Sequence, residues 1–355
     1  MDWNLDLSLV WQEYGLDKLQ DGIEALFPRS EIRLEDLFAQ VVSGDIIGAL
    51  RSLFQGSLDN VTAQITGMKN VFVWLLVLGI VSSLMTHFVE IFDKRQVADM
   101  GFYFMYLLFT TVLLKCFAQA ADTAAGLMEN CLIFVKLLVP AYLITVGISS
   151  GAVSAGASYQ LMLFAVYGVE YILAAGLIPL IYSFVMLSVV NGIWIEEKLS
   201  FLIELLEKII GWVLKGALGA VTGIGIFQAL ITPVVDSARN SVLRKFISAI
   251  PGVGAAAEGV TDLILGSAVV IRNGIGVVLL LLLLLLCVIP LIKIGVIAGL
   301  LKCAAAFMGI VSDKRLTACA DRTGNAGLLL LRTTGTAVLL FLIAIAVTAT
   351  AGRGV

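Results

Sequence analysis

Between Gly274 and Val311 the chain reads GIGVVLLLLLLLLCVIPLIKIGVIAGLLKCAAAFMGIV, with Lys293 and Lys302 as its only charges. A bilayer core about 30 Å thick is crossed by roughly 20 apolar residues of helix. This run exceeds one crossing, and Pro290 with Lys293 marks a turn or kink near its middle, so two spans fit it better than one. Other long apolar runs occur throughout residues 70–350. Together they leave the chain 60% hydrophobic and only 14% charged, with a mean hydropathy of +1.02. An ordinary soluble domain is about 45–50% apolar and about 25% charged. In hydrocarbon, backbone amides must be satisfied within their own segment, and these runs are too continuous for barrel strands, which alternate over about ten residues. The expected fold class is all-α: a polytopic integral membrane helical bundle of seven or eight transmembrane helices.

The pattern predicts spans near 70–89, 99–118, 131–149, 160–190, 211–232, 274–291, 294–311 and 326–350, within a membrane domain at 66–351. Residues 1–65 form an expected amphipathic helical head, split by Pro28 and Gly44. Residues 1–60 hold 11 acids against 4 basic residues, so the remainder carries a net +4 within an overall −3. Basic flanks such as Lys94 and Arg95, or Lys314 and Arg315, favour the cytoplasm, which puts the acidic head outside the cell membrane. Residues 194–211 alternate a charged face (Glu197, Glu204, Lys208) with an apolar one (Leu199, Leu202, Leu206), the pattern of an interfacial helix. After Pro233, the basic residues Arg239, Arg244 and Lys245 suggest a loop. A secretory signal would begin with a basic stretch, an apolar core and a small-residue cleavage site, and residues 1–30 show none of these.

Few residues promise chemistry. No GxxxxGK[ST] or HExxH occurs, so any ATP-driven work falls to another protein, and neither catalytic residues nor a cofactor are expected. His87, near Glu90 and Asp93, is too isolated for a zinc site and suits an interfacial anchor, leaving no metal site. The five cysteines lack any CxxC and are expected to be packing residues. The charge asymmetry argues against nucleic acid as a partner and leaves the lipid bilayer as the surrounding medium. Glu170 is the most informative position, because an ionisable group within a span normally pairs in the interior or lines a pathway. Lys302 is a second candidate buried charge. Gly147, Gly151 and Gly156, then Pro251, Gly252, Gly254 and Pro290, are candidate sites of close packing or helix breaks.

From residue 12 to 350 the chain resembles the stage III sporulation protein AE (SpoIIIAE) family of endospore-forming bacteria. The resemblance rests on WQEYG at 11–15, SSGAVSAG at 149–156, RKFISAIPGVG at 244–254, TDLILGSAVVIRNGIG at 261–276, PLIKIGVIAGLLKCAAAF at 290–307 and CADRTGNAG from Cys319. It implies a non-enzymatic subunit of the secretion-like channel complex joining mother cell and forespore, set in the mother-cell-derived outer forespore membrane. The implied partners are the other stage III A proteins, including a separate ATPase and ring-forming subunits, with SpoIIQ reaching from the forespore. Family members usually start with a cleavable signal, from which this N-terminus departs. A self-contained secondary transporter or permease for small solutes is the competing expectation, since broken helices and a buried carboxylate also serve that function.

Overall fold

The computed structural model describes residues 95–150, 164–194, 198–247 and 254–350, which fold as five long helices, together with scattered positions between 40 and 84. Side chains are described over most of 100–134, 164–194, 198–223 and 277–343. Helix α1 is Arg95–Ser150, α2 is Phe164–Asn191, α3 is Ser200–Ile247, α4 is Gly254–Val311 and α5 is Lys314–Thr350. Among the described residues there are no strands. The head, His87, Gly151, Gly156, Pro251 and Gly252 lie outside the described residues, apart from isolated positions of the head. The 70–89 span is represented by isolated helical positions from 73 to 84.

Among the described residues, four helical stretches are long and apolar enough to cross a bilayer: Met100–Phe134, Phe164–Asn191, Leu280–Ile310 and Lys314–Ile343. The chain is therefore built as a helical multi-pass membrane protein. Among the described residues the helices run longer than the expected spans. Asp122 and Glu129 suggest an end to a crossing, yet α1 runs unbroken through both for 56 residues. The intervening AQAADTAAGLMEN contains no proline and is rich in alanine, the strongest helix former, so propagation costs little there. Likewise α4 continues through Pro290 for 58 residues. A proline removes one intrahelical hydrogen bond and crowds the preceding turn, but the long apolar helix on either side holds the segment helical. The expected loop at Arg239–Lys245 is also helical, as part of α3.

No break separates an interfacial helix from a span at Gly211, since one glycine costs only about 1 kcal/mol in a helix. The face that α3 buries is Ile203, Ile210, Leu214 and Val221, while Leu202, expected on the apolar face, is exposed. Those buried positions follow spacings of seven and four, the narrow seam of one helix laid against another.

Helix α5 is the hub, packing against α1, α2, α3 and α4. It joins α4 through Ser312 and Asp313 alone, a turn short enough to force antiparallel neighbours. Asp313 caps α5, its Oδ1 accepting the Arg315 backbone N–H at 2.8 Å, which satisfies one of the donors a helix start leaves unpaired. The Arg315 guanidinium then lies 3.6 Å over the ring of Phe102 on α1, a cation–π contact. At the same end, the Tyr106 hydroxyl of α1 donates to Val189 O on α2 at 2.6 Å. A Cβ on Gly192 would collide with that hydroxyl, so glycine permits the approach. The α2–α3 connection is tied down here too, with the Leu199 N–H donating to Asn191 Oδ1 at 2.8 Å. One end of the bundle thus gathers the start of α1, the end of α2 and the α4–α5 turn, with Lys314 and Arg315 beside them.

Candidate functional site

Helix α2 contains a single π turn at Leu173–Leu177, where the Ile178 N–H bonds Leu173 O, five residues back. Pro179 explains it. In a regular α-helix its ring would meet the carbonyl four residues earlier, and it has no N–H to donate, so the widened turn relieves the clash. One turn before this irregularity stands Glu170, which is 0% exposed. Neither of its carboxyl oxygens has a hydrogen-bond partner among the described residues. Cys131 of α1 lies near it, and the Cys131 Sγ is 3.6 Å from Cys287 Sγ of α4. Both thiols are 1% exposed. Three helices therefore converge on one layer containing an acid and two thiols.

Burial of an ionised carboxylate without donors is very costly. Glu170 lies 21 residues before Asn191, roughly 32 Å along the axis at 1.5 Å per residue. It accordingly occupies the end of the bundle away from Lys314 and Arg315. Beside it, α1 and α2 enclose an open groove of about 410 Å³. Met128 and Leu132 line the α1 wall, Ala174 and Pro179 the α2 wall, and Glu129 and Tyr182 are the lining residues with polar side-chain groups. The wall is otherwise apolar. Phe117 meets Tyr182 edge-on at 5.0 Å between centroids and holds that ring against α1.

Lys302 sits elsewhere. It is nine residues before the end of α4 and pairs with Asp321 of α5, Nζ to Oδ1, at 2.6 Å. Both side chains are partly exposed, and no bond links this pair to Glu170. Around it the helices approach closely, for a Cβ on Gly324 would come within 3.0 Å of Lys302 Cγ, and one on Gly327 within 2.9 Å of Ala298 Cβ. The apparently separate sequence blocks PLIKIGVIAGLLKCAAAF and CADRTGNAG are thus two sides of one seam. Gly147 belongs to α1, Gly254 opens α4 and Pro290 lies inside α4, away from any helix end.

The sequence reading singled out Glu170 and Lys302 but neither Asp321 nor the thiol pair. Asp321 could have been found as the acid in the block facing Lys302, and the π turn from Pro179 within an otherwise uniform run. The cysteines, 156 positions apart, carried no local signal. A membrane-permeant oxidant that removes two electrons and two protons should join Cys131 to Cys287, closing 3.6 Å to about 2.05 Å. The linked peptide should be seen by mass spectrometry and should vanish in Cys131→Ser. Failure to link would mean that α1 and α4 do not share this register. Among the described residues, no group of three His, Cys, Asp or Glu side chains is placed to hold a metal ion.

No solved structure matches this chain. The Stage III sporulation protein AE of Bacillus subtilis (strain 168) is 24% identical to it over 266 residues, which span 74% of this chain and 66% of that protein's length. The chain therefore spans just under two thirds of this relative. The family profile described as Stage III sporulation protein AE matches residues 32–352, the whole of the five-helix bundle and part of what precedes it. On that match, carried through every described helix, the chain belongs to the stage III sporulation protein AE family.

Proposed function

We propose that this protein is a non-enzymatic membrane subunit of the channel complex between mother cell and forespore, serving as an export platform or conduit in the outer forespore membrane. Family membership is the observation that carries this reading. The sequence lacks a phosphate-binding GxxxxGK[ST] loop, which suits a division of labour in which a separate ATPase supplies the work. The hub arrangement of α5 and the tight α4–α5 seam suit a scaffold, because small residues let helix backbones approach and hold a fixed shape. Partners of the assembly are the other stage III A proteins, including the ATPase and ring-forming subunits, with SpoIIQ joined through the complex.

A secondary transporter is the second reading, favoured by one observation: a buried carboxyl without partners beside an irregular helical turn. Partner dependence separates the two. When gently solubilised from sporulating cells, the chain is expected to co-purify with the ATPase and ring subunits. In liposomes the purified chain alone should move no solute. Solute uptake by the isolated chain, driven by a proton or sodium gradient, would refute the subunit reading and establish the transporter.

A further inference from the structure

Glu170 is the one fully buried acid among the described residues, and both its oxygens lack donors. A buried carboxyl can be tied up by a cation, by hydrogen-bond donors or by a proton. No Lys or Arg faces it among the described residues; the titratable groups near it are Cys131 from α1 and, behind that, Cys287 from α4. A hard metal cation collects six or more oxygens, and this layer offers thiols and aliphatic side chains instead. The ligand that the site fits is a proton.

A groove between α1 and α2 lies one helical turn from the site. Met128 and Leu132, on either side of Cys131 in α1, line the groove, as does Ala174, one turn after Glu170 in α2. The exposed acid Glu129 stands at its rim with Tyr182. The π turn carries Ala174 of that lining and follows Glu170 along α2. Pro179 contributes no N–H there, and the Ile178 N–H is directed to Leu173 O, so this stretch has fewer regular backbone bonds than the helix around it. Local opening is drawn from such poorly bonded segments, and single π turns frequently mark functional positions.

We propose that Glu170 is a reversible proton-binding carboxyl, loaded from the Glu129 rim through the groove as the π turn opens. This inference rests on burial and geometry and is independent of membership in a larger complex. The test uses the full-length chain in liposomes treated with dicyclohexylcarbodiimide, an apolar reagent that adds to protonated carboxyls, with adducts located by mass spectrometry. Glu170 should carry the adduct, its yield should fall as pH rises, and Glu170→Gln should lose it. Ala174→Phe fills the groove and should slow the labelling several-fold. A water-soluble carbodiimide should modify Glu129 in preference to Glu170. Infrared difference spectra of the unaltered chain and Glu170→Gln give a second measurement, in which the substitution should remove a protonated-carboxyl band. Absence of the adduct at every pH, or loss of a carboxylate band in place of the acid band, would overturn the proton site. Equal labelling rates in Ala174→Phe would overturn the route.

Discussion

Gly327→Ala is expected to destabilise the bundle, whereas Gly335→Ala, two turns further along the same helix, is expected to stabilise it slightly. A Cβ on Gly327 would lie 2.9 Å from the Cβ of Ala298 and 3.1 Å from its Cα. The second contact is with backbone, so no rotamer change relieves it, and α4 and α5 must move apart along the seam. Overpacking of this kind costs about 1–3 kcal/mol. A Cβ on Gly335 meets nothing within 4 Å, so the substitution there retains only the gain in helix propensity, up to about 1 kcal/mol. Thermal unfolding in one detergent reads both effects. Ala298→Gly should rescue Gly327→Ala in part, since it removes the 2.9 Å contact and leaves the one with the Cα. If the two glycine variants shift the midpoint in the same direction, the close crossing at Ala298 is wrong.

Breaking the Lys302–Asp321 pair should produce the other large effect. Lys302→Met leaves Asp321 without its cation, and Asp321→Asn leaves Lys302 without its anion. Breaking a fully buried pair costs about 3–5 kcal/mol, and an exposed pair contributes about 0–1 kcal/mol. The side chains here are 30% and 48% exposed, which places each single change between those limits, at about 1–3 kcal/mol. The double change Lys302→Met with Asp321→Leu removes both charges and should cost less than the sum of Lys302→Met and Asp321→Leu. Unfolding of the four proteins in a double-mutant cycle measures that coupling. Strict additivity would show that the two groups do not interact in the folded bundle.

These two tests concern residues whose importance was unevenly visible beforehand. Lys302 stood out in the sequence because a charge in so apolar a run needs an explanation, but its partner lies 19 positions away, across a turn. Gly327 is one of 34 glycines, and local pattern alone cannot separate it from Gly335. Only the crossing of α4 over α5 sets backbone against one and open space against the other. Glu170 was legible as an anomaly for the same reason as Lys302. That it meets a thiol layer, and that a groove and a π turn adjoin it, depends on the register of three helices distant in sequence.

The apolar runs alone determined that this polypeptide is helical and dissolved in lipid, because a backbone surrounded by hydrocarbon must bond within its own segment. They did not determine where helices stop. Charges such as Asp122 and the ring of Pro290 mark local costs, and a helix continues through such costs when neighbouring turns and packed side chains outweigh them. Helix ends, the central place of α5, the Lys302–Asp321 pair and the isolation of Glu170 were decided by tertiary packing, since each depends on which surfaces touch across the bundle.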